Sequence, residues 1–270
     1  MSILMKIAIY QLLASDSSSA ARVSRLHTCI KQAAATGVEL VIFPELALSG
    51  YNVGAELITN RAETRDGIFA QSIAALAKDN AIAVAYGYPE RDGDRLYNSA
   101  ALVDAGGVLV LNYRKTHLFG DYERKLFSAG SDPNRVAKIG DWSISLLICY
   151  DIEFPEAARL VALRGADLII VPTALMAPYD RIPNLLIPAR AYENQLYVAY
   201  ANYCGVESNL NYCGKSTIAC PDGAVYLQAE DSETIIVGEL SRDVLRKSRE
   251  LNTYLEDRRP EIYAPLALSR

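Results

Sequence analysis

The sequence predicts an α/β protein with a mixed sheet and helices packed outside it. Three observations support this fold class. Short apolar runs, typical of buried strands, alternate with stretches of helical periodicity. Turn sequences between further apolar runs predict hairpins, which add antiparallel strands. Several apolar runs end in polar residues, and in open α/β sheets ligands bind beyond the carboxyl ends of the strands.

The first third of the chain predicts alternating strands and helices. KIAIYQ is an apolar run typical of a strand, and Asp16 with the serines after it can cap the helix that follows. Gly37 ends that helix, because glycine readily adopts the left-handed conformation found after helix C-termini. ELVIFPE is a continuous apolar run, as expected for a strand covered on both faces, and it ends at Glu45. In order, we predict strand 6–11, helix 16–36, strand 39–45, helix 67–79 and strand 82–90.

Three turn sequences in the rest of the chain predict hairpins. DAGG separates strands 97–103 and 108–114, Gly140-Asp141 separates 135–139 and 142–149, and CPDG separates 215–219 and 224–228. The other predicted elements are a helix from 155, strand 166–174, helix 183–195, strand 197–202, strand 234–240 and a helix from 242 to about 252. Because no linker or low-complexity tract interrupts this pattern, we expect one domain spanning residues 1–270.

The composition excludes several classes of partner. The 270 residues are 51% hydrophobic and 22% charged, which is ordinary for a globular protein. The net charge of −5 provides no basic field for nucleic acid or an anionic membrane surface. No apolar run approaches the length of a membrane span. We therefore expect no nucleic acid and no membrane among the partners.

The N-terminus and the cysteines predict a cytoplasmic protein without a bound metal. IAIYQLLA is short for a signal peptide, contains Gln11, and leads into a predicted helix rather than a cleavage site. Five cysteines, an odd number, fit a reducing compartment better than a disulfide framework. Cys204, Cys213 and Cys220 lack the CxxC spacing of zinc sites, and the chain has only two histidines.

LLICYDIEFPE, at 146–156, is the strongest candidate for a catalytic element. Its apolar run ends at Cys149, and Pro155 opens a helical run shortly afterwards. A strand end holds such a cysteine rigidly, and backbone N–H groups beyond it can face a developing oxyanion. The alternative is a buried structural cysteine, since free cysteine is among the most buried residue types. Because three apolar runs end in polar residues, we expect Glu45, Cys149 and Thr173 to share one rim.

A cysteine nucleophile needs a proton acceptor, and the sequence offers three. His27 lies on the first predicted helix, where a surface or half-buried role is the simpler interpretation. His117 follows Lys115 closely, so a Cys–His pair is possible. Glu45, at the end of an apolar run, would be partly desolvated, which raises the pKa of a carboxyl group. Lys115 could place an ammonium beside the same site, although a salt-bridged Glu45 and a solvated Lys115 are the alternatives.

Together these segments resemble the nitrilase superfamily of carbon–nitrogen hydrolases. The resemblance rests on PELALSGYN around Glu45, YRKTHLFG around Lys115 and LLICYDIEFPE around Cys149, in that order. VPTA at 171–174, RAYENQLYVAYAN at 190–202 and YCGKSTIACPDG at 212–223 extend it over nearly the whole chain. It implies a triad of Glu45, Lys115 and Cys149 assisted by Glu123, a four-layer αββα sandwich, and no cofactor.

The residues around the cysteine are similar to the amidase branch of this superfamily, which includes 5-aminovaleramidase (5-aminopentanamidase) and R-stereoselective amidases. CYDIEFPE and NYRKTHLFG carry that likeness. Nitrilases usually carry Trp and Glu-His around the cysteine, whereas Tyr150 and Asp151 stand here, which disfavours nitrile hydrolysis. The candidate substrate-binding residues are Tyr51, Asn52, Tyr150, Thr173 and Ala174.

We therefore expect an amidase that hydrolyses small aliphatic primary amides to a carboxylic acid and ammonia through a cysteine thioester. Negative charge gathers near the motifs, although these carboxylates could instead be solvated or internally paired. The four acids are Asp121, Glu123, Asp151 and Glu153. Any of them that faces the pocket would favour ω-amino amides such as 5-aminovaleramide over amides that bear a carboxylate. The alternatives are an N-carbamoyl-amide hydrolase with the same triad and a catalytically silent interaction scaffold.

The C-terminal tail, 253–270, predicts self-association. It carries more apolar side chains than a free tail should expose. We expect it to pack across the interface of a homodimer or a larger even oligomer. The apolar side chains are Tyr254, Leu255, Ile262, Tyr263, Leu266 and Leu268.

Overall fold

A computed structural model of the chain describes residues 4–14, 18–132 and 135–267. In these residues the strands are β1 (Leu4–Leu13), β2 (Leu40–Ile42), β3 (Ala83–Asp92), β4 (Arg95–Val103), β5 (Leu109–Arg114), β6 (Ala137–Ile139), β7 (Trp142–Leu146), β8 (Leu168–Pro172), β9 (Tyr197–Ala201), β10 (Tyr203–Glu207), β11 (Leu210–Cys213), β12 (Thr217–Ala219), β13 (Val225–Gln228) and β14 (Thr234–Ser241).

The helices of the described residues are α1 (Ser19–Ala35), α2 (Ala55–Arg61), α3 (Ile68–Asp79), α4 (Gly120–Leu126), α5 (Pro155–Leu163), α6 (Ile187–Asn194), α7 (Arg242–Leu251) and α8 (Pro260–Tyr263). Cys149–Glu153 and Ala264–Ala267 are 3-10 helices, and Ile182–Leu186 is a π-helix. None of these helices has the length and apolar character needed to cross a lipid bilayer.

The strands form two sheets that pack face to face between two layers of helices. The first sheet has the order β11-β10-β1-β2-β3-β4-β5, with β14 paired to β1, and the second has the order β13-β12-β9-β8-β7-β6. Strands β1, β2 and β3 run parallel in the first sheet, as do β7, β8 and β9 in the second. Antiparallel hairpins complete the edges. This arrangement confirms the predicted α/β class and the four-layer αββα order.

Alternation along the central strands assigns successive side chains to two hydrophobic cores. Ile7 and Ile9 of β1 lie in the core between the sheets, whereas Ala8 and Tyr10 face α1 and α3. The core between the sheets continues through the second sheet to α5 and α6. Because both faces of the central strands are covered, the sequence shows continuous apolar runs there rather than alternating ones.

The parallel strands direct their carboxyl ends to one rim of the sandwich. Glu45 follows β2, Cys149 follows β7 and Thr173 follows β8. The backbone N–H of Glu45 donates to the carbonyl oxygen of Thr173 at 3.4 Å, which joins the ends of the two sheets. The structure thus places these three residues on one rim, as predicted.

Two of these strands end earlier than the sequence predicts. β2 stops at Ile42, because Pro44 has no N–H to donate and Leu46 turns the chain with a φ of 49°. β7 stops at Leu146, and Cys149 begins a 3-10 helix with a φ of 46°. Both Glu45 and Cys149 therefore lie in turns just beyond the strands rather than within them.

The sequence analysis did not predict α2, α4 or the hairpin β10–β11, and it predicted one helix, 183–195, where the chain forms the π-helix and α6. The predicted strand 197–202 corresponds to β9 alone. β10 follows directly but belongs to the other sheet, and the chain crosses between the sheets at Asn202. The buried Asn202 side chain stabilises this crossing. Its Oδ1 accepts from the Leu175 N–H at 2.8 Å, and its Nδ2 donates to the carbonyl oxygens of Leu175 and Gly214 at 3.1 and 2.7 Å.

The C-terminal tail contains α8 and a 3-10 turn, where the sequence analysis predicted no helix. Tyr254, Ile262 and Tyr263 are exposed, whereas Leu255 packs in part against the core between the sheets. Leu268 and the side chain of Leu266 lie outside the described residues. The single domain and the even oligomer therefore stay predictions.

Gly87 lets β3 pack directly against the turn that carries Glu45. A methyl group on Gly87 would lie 2.8 Å from both the Glu45 Cα and the Pro44 carbonyl oxygen. We expect Gly87→Ala to lower the free energy of unfolding by about 1–3 kcal/mol, because the backbone of the turn must move to admit the methyl group. Urea unfolding measures this loss.

The matched control for that substitution is Gly106→Ala, in the exposed turn between β4 and β5. A methyl group there would meet only the side chain of Asp104, at 3.2 Å. Its effect on the free energy of unfolding should stay within about 0.5 kcal/mol. Equal losses in the two variants would contradict the close packing of β3 on the turn.

Candidate active site

Cys149 lies at a strained turn at the end of the second sheet. Its φ of 46° is in the left-handed region, which costs a residue with a side chain about 1–3 kcal/mol. Before the turn, the Leu147 N–H donates to the Ile170 carbonyl oxygen at 3.1 Å; after it, the Asp151 N–H donates to the Ile148 carbonyl oxygen at 3.0 Å. Cys149 is 8% exposed. The thiol is therefore held at the rim with little conformational freedom.

The buried carboxylate of Asp151 ties this turn to the segment 113–117 around Lys115. One of its oxygens accepts from the N–H just before Cys149, and both accept from groups on the other segment. The donors are the Ile148 N–H at 3.1 Å, the Tyr113 hydroxyl at 2.8 Å, the Thr116 hydroxyl at 2.9 Å and the His117 N–H at 2.9 Å. Asp151 thereby fixes the position of Cys149 relative to Lys115.

A buried ammonium lies between two buried carboxylates. Lys115 Nζ donates to Glu45 Oε1 and to Glu123 Oε1, each at 2.7 Å, and all three side chains are fully shielded from solvent. Lys115 directly follows β5, and Glu123 lies on α4. The charges of Glu45 and Lys115 both act on the Cys149 thiol. The structure thus brings these four predicted residues together in one group.

Glu45 and Glu123 differ in how completely their oxygens are bonded. Glu123 Oε1 also accepts from the Tyr51 hydroxyl at 2.8 Å, and its Oε2 accepts from the Phe119 N–H at 2.9 Å. Glu45 Oε1 also accepts from Asn98 Nδ2 at 2.7 Å, but its buried Oε2 has no partner among the described residues. An unpaired buried carboxylate oxygen is costly, and Glu45 therefore keeps one oxygen for a proton or a reacting group.

Burial and neighbouring charges set the protonation states of the group. Burial raises the pKa of Glu45, and although Lys115 opposes this, the pKa stays above the usual value of a glutamate. Burial and the charge of Glu45 raise the pKa of the Cys149 thiol well above its ordinary value, while Lys115 and the Ala174 N–H lower it. Burial lowers the pKa of Lys115, but Glu45 and Glu123 raise it by more. At neutral pH the thiol is protonated and needs a base, and Lys115 stays charged.

Two N–H donors are available for a developing oxyanion. An ammonium has three N–H groups, and Lys115 uses two of them on the carboxylates, so the described residues leave the third without an acceptor. Tyr150 is the second residue of the 3-10 helix, where backbone N–H groups have no partner inside the helix. These donors flank the turn at Cys149 and could hold an oxyanion there.

Both histidines form their hydrogen bonds with residues other than Cys149. His117 Nδ1 lies 2.7 Å from Asp151 Oδ1, and its ring stacks on Phe154 at a centroid distance of 4.0 Å. His27 Nε2 lies 2.9 Å from the Ser72 hydroxyl, between α1 and α3. Of the three candidate bases, Glu45 is the one whose charge acts on the Cys149 thiol. Within the described residues, no group of three or more His, Cys, Asp or Glu side chains is arranged to hold a metal ion.

Four of the five predicted pocket residues lie around Cys149. Thr173 and Ala174 are close enough to lower the pKa of its thiol. The hydroxyl of Tyr51 feels the charge of the same sulfur, and Tyr150 is the next residue along the chain. These four residues therefore lie in the neighbourhood of the Cys149 sulfur.

The fifth predicted pocket residue, Asn52, binds the hairpin β10–β11 instead. Its Nδ2 donates to Asn209 Oδ1 at 2.8 Å. The buried carboxylate of Glu207, on the same hairpin, accepts from the N–H groups of Tyr51 and Asn52 at 3.1 and 2.6 Å and from Arg22 Nη2 at 2.9 Å. Asn52 therefore helps to fasten the loop that carries Tyr51, and the structure gives it no contact with the thiol.

The four acids expected to gather negative charge have different environments. The Asp121 side chain is 86% exposed and lies 3.6 Å from Arg124. Glu123 and Asp151 are buried and hydrogen-bonded inside the protein. Glu153 is half-buried, and no described residue forms a hydrogen bond or ion pair with its carboxylate. Of these four acids, Glu153 alone has a carboxylate that is unpaired within the described residues, and it lies in the 3-10 helix that begins at Cys149.

The sequence analysis missed Asn98 and Tyr200. Asn98 is 1% exposed and donates to Glu45; its signal was a polar pair, Asn98-Ser99, inside the otherwise apolar run of β4. Tyr200 is also 1% exposed and lies near Cys149. Nothing in the run YVAYAN distinguishes Tyr200 from an aromatic residue of the core.

Comparisons with known proteins agree with this geometry. The chain matches the family model of carbon-nitrogen hydrolases over residues 6–250. It is 50% identical to a Pseudomonas protegens protein named "Hydrolase in pqqF 5'region", over 97% of this chain and 92% of the relative. It is 38% identical to an (R)-stereoselective amidase from Pseudomonas sp., over 94% and 92%, and 38% identical to a nitrilase from Pyrococcus abyssi, over 89% and 92%.

A solved structure shares the fold. It is a variant of the amidase from Nesterenkonia sp. AN1 in complex with butyramide, with a TM-score of 0.84, 32% sequence identity, and coverage of 97% of this chain and 96% of that chain. The resemblance seen in three short motifs thus extends over almost the whole sequence and the whole sandwich. The chain belongs to the carbon–nitrogen hydrolase family, in the amidase branch of the nitrilase superfamily, and is a hydrolase of carbon–nitrogen bonds.

Proposed function

We propose that this protein hydrolyses short aliphatic primary amides to a carboxylic acid and ammonia through a thioester on Cys149. The observation that carries the proposal is the buried group beside the cysteine. Glu45 offers an unbonded oxygen, and Lys115 offers a charged donor that Glu123 holds in place. A protonated thiol beside a base and an oxyanion donor is the arrangement that nucleophilic catalysis requires.

In the first half-reaction, Glu45 accepts the proton of the Cys149 thiol, and the sulfur attacks the carbonyl carbon of the amide. Lys115 and the Tyr150 N–H stabilise the negative oxygen of the tetrahedral intermediate. Glu45 then gives the proton to the amide nitrogen, the carbon–nitrogen bond breaks, and ammonia leaves. The acyl group remains on the sulfur as a thioester.

In the second half-reaction, Glu45 accepts a proton from a water molecule, and the water oxygen attacks the thioester carbonyl. The same donors, Lys115 and the Tyr150 N–H, stabilise the second oxyanion. The carbon–sulfur bond breaks, the sulfur of Cys149 takes the proton from Glu45, and the carboxylic acid leaves. One carboxylate thus serves as base and as acid in both halves, which matches its raised pKa.

Two considerations favour amides over nitriles. An amide already carries its carbonyl oxygen, so one attack and the loss of ammonia give the thioester, whereas a nitrile, at the same oxidation level, must also be protonated and take up water before ammonia can leave. The relatives include an (R)-stereoselective amidase and an amidase that binds butyramide, which supports amide hydrolysis in this chain. Because a nitrilase is also 38% identical to this chain, the test must include a nitrile.

Ammonia release from valeramide, valeronitrile and N-carbamoylbutylamine tests this proposal. We expect the kcat/KM of valeramide to be the largest of the three and that of valeronitrile to be small. Efficient conversion of valeronitrile to valeric acid would contradict the choice of amides. Turnover of the carbamoyl compound alone would support an N-carbamoyl-amide hydrolase, and ammonia from none of the three would contradict catalysis of this type.

A further inference from the structure

We propose that the carboxylate of Glu153 binds a protonated amine at the far end of the substrate chain, which makes ω-amino amides the preferred substrates. This inference rests on the amidase function proposed above. It assigns a specificity role to Glu153 and predicts which amides the protein distinguishes. Four features of the site support it: the position of Glu153, its missing partner, its electrostatic neighbours, and the apolar surface beside it.

Glu153 and Cys149 lie on one short helix. Cys149 is the first residue and Glu153 the last of one 3-10 helix. From Tyr150 to Glu153 the chain makes three steps, which at a rise of about 2.0 Å each advance it by roughly 6 Å along the helix axis. A substrate chain of a few methylene groups spans a comparable distance. A group bound by Glu153 would therefore lie several atoms away from the amide carbonyl.

The carboxylate of Glu153 has no partner within the described residues, although a cation lies nearby. Arg190 directs Nη2 to the backbone carbonyl oxygen of Glu153 at 2.8 Å, Nε to that of Ile152 at 2.9 Å, and Nη1 to Glu193 Oε1 at 3.0 Å. All three guanidinium nitrogens are thus engaged elsewhere. The half-buried carboxylate of Glu153 remains free to bind a cation from outside the chain.

The charges that act on Glu153 include that of Lys115. Burial raises the pKa of Glu153, and the charges of Lys115 and Arg190 lower it. The hydroxyl of Tyr200 feels the charges of both Cys149 and Glu153. The single ammonium of Lys115 is already shared by two buried carboxylates. A substrate ammonium beside Glu153 would supply the hydrogen-bonded partner that neither Lys115 nor Arg190 gives to its carboxylate.

An aromatic surface flanks Glu153 on both sides in the sequence. The rings of Tyr150 and Phe154 make an edge contact with centroids 4.9 Å apart. Phe119 extends this surface, with its ring 5.3 Å from that of Tyr150 and 6.3 Å from that of Tyr179. Such a surface suits methylene groups, whereas Glu153 suits a charged end group. Together they match an unbranched chain that carries an ammonium at its end.

The ratio of kcat/KM for 5-aminovaleramide to that for valeramide tests this inference. We expect the native protein to favour 5-aminovaleramide, and Glu153→Gln to lower the ratio by about tenfold to a hundredfold, mainly through KM, because a charged hydrogen bond is lost. Glu153→Lys should lower the ratio further and should raise the kcat/KM of glutaramic acid relative to valeramide. The matched control is Glu156→Gln, an equal charge change at an exposed position three residues away.

Three outcomes would overturn the assignment of Glu153. They are a native protein that hydrolyses valeramide without favouring 5-aminovaleramide, a ratio that Glu153→Gln leaves unchanged, and an equal fall in the ratio for Glu156→Gln. None of these would affect the amidase proposal, which requires only that valeramide is hydrolysed. A native protein that hydrolyses neither amide would instead refute that underlying function.

Discussion

The Cys149→Ala protein should release no measurable ammonia from valeramide while its thermal unfolding stays close to that of the native protein. Loss of the nucleophile removes the thioester route, and we expect turnover to fall by at least about 10⁴-fold. The substitution removes one sulfur atom from a residue at the rim and leaves the backbone hydrogen bonds of the turn in place. The free energy of unfolding should therefore change by only about 1 kcal/mol. Ammonia release and calorimetry measure the two effects.

The other cysteines provide the controls for that experiment. Cys204 is buried in β10, and Cys213 and Cys220 are partly buried, each outside the group that surrounds the thiol of Cys149. Alanine at each of these positions, introduced singly, should leave most of the activity. Mass spectrometry of native protein quenched during turnover should find the acyl group on Cys149. Substantial ammonia release by the Cys149→Ala protein would show that another group is the nucleophile.

The sequence predicted the rim but not the conformation of the residues on it. An apolar run precedes each of Glu45, Cys149 and Thr173, and parallel strands bring such positions to the same edge of the sheet. The hydrophobic pattern alone was therefore sufficient to predict that the three residues share one rim. The pattern does not report φ, and the strained turn at Cys149 depends on the hydrogen bonds around Asp151 rather than on local propensity. The sequence analysis therefore predicted Cys149 at the end of a strand instead of in a 3-10 helix.

The sequence analysis also failed to predict contacts between segments that are distant in the sequence. Asn52 follows a motif that suggested a pocket wall, yet its side chain and the Glu207 carboxylate join the loop to the hairpin β10–β11. Asn98 bonds Glu45 across more than fifty residues of chain, and only its polarity within an apolar strand hinted at a partner. Likewise, the sequence grouped four acids by proximity, whereas the fold satisfies Asp151 internally and leaves Glu153 free.

Replacing Glu45 by glutamine should lower the kcat of valeramide hydrolysis by about 10³–10⁴-fold, because one side chain supplies the base and the acid of both half-reactions. Glutamine has nearly the same shape and can still accept from Lys115, so the fold should persist. Since the reaction needs ionised Glu45 in the free enzyme, the native kcat/KM should fall as the pH drops through its raised pKa. That acid limb should lie above the usual pKa of a glutamate, and it should be absent from the residual activity of Glu45→Gln.

Two comparisons distinguish a role of Glu45 in proton transfer from a purely electrostatic role. His117→Asn should cost less than about tenfold, because His117 bonds Asp151 and stacks on Phe154 rather than serving Cys149. Since the charge of Glu45 raises the pKa of the thiol, Glu45→Gln should shift the pH midpoint of Cys149 alkylation by iodoacetamide to lower pH. The variant would then form thiolate more readily and still hydrolyse amides far more slowly, as expected when proton transfer is lost. A larger loss of activity in His117→Asn than in Glu45→Gln would instead support a Cys–His pair.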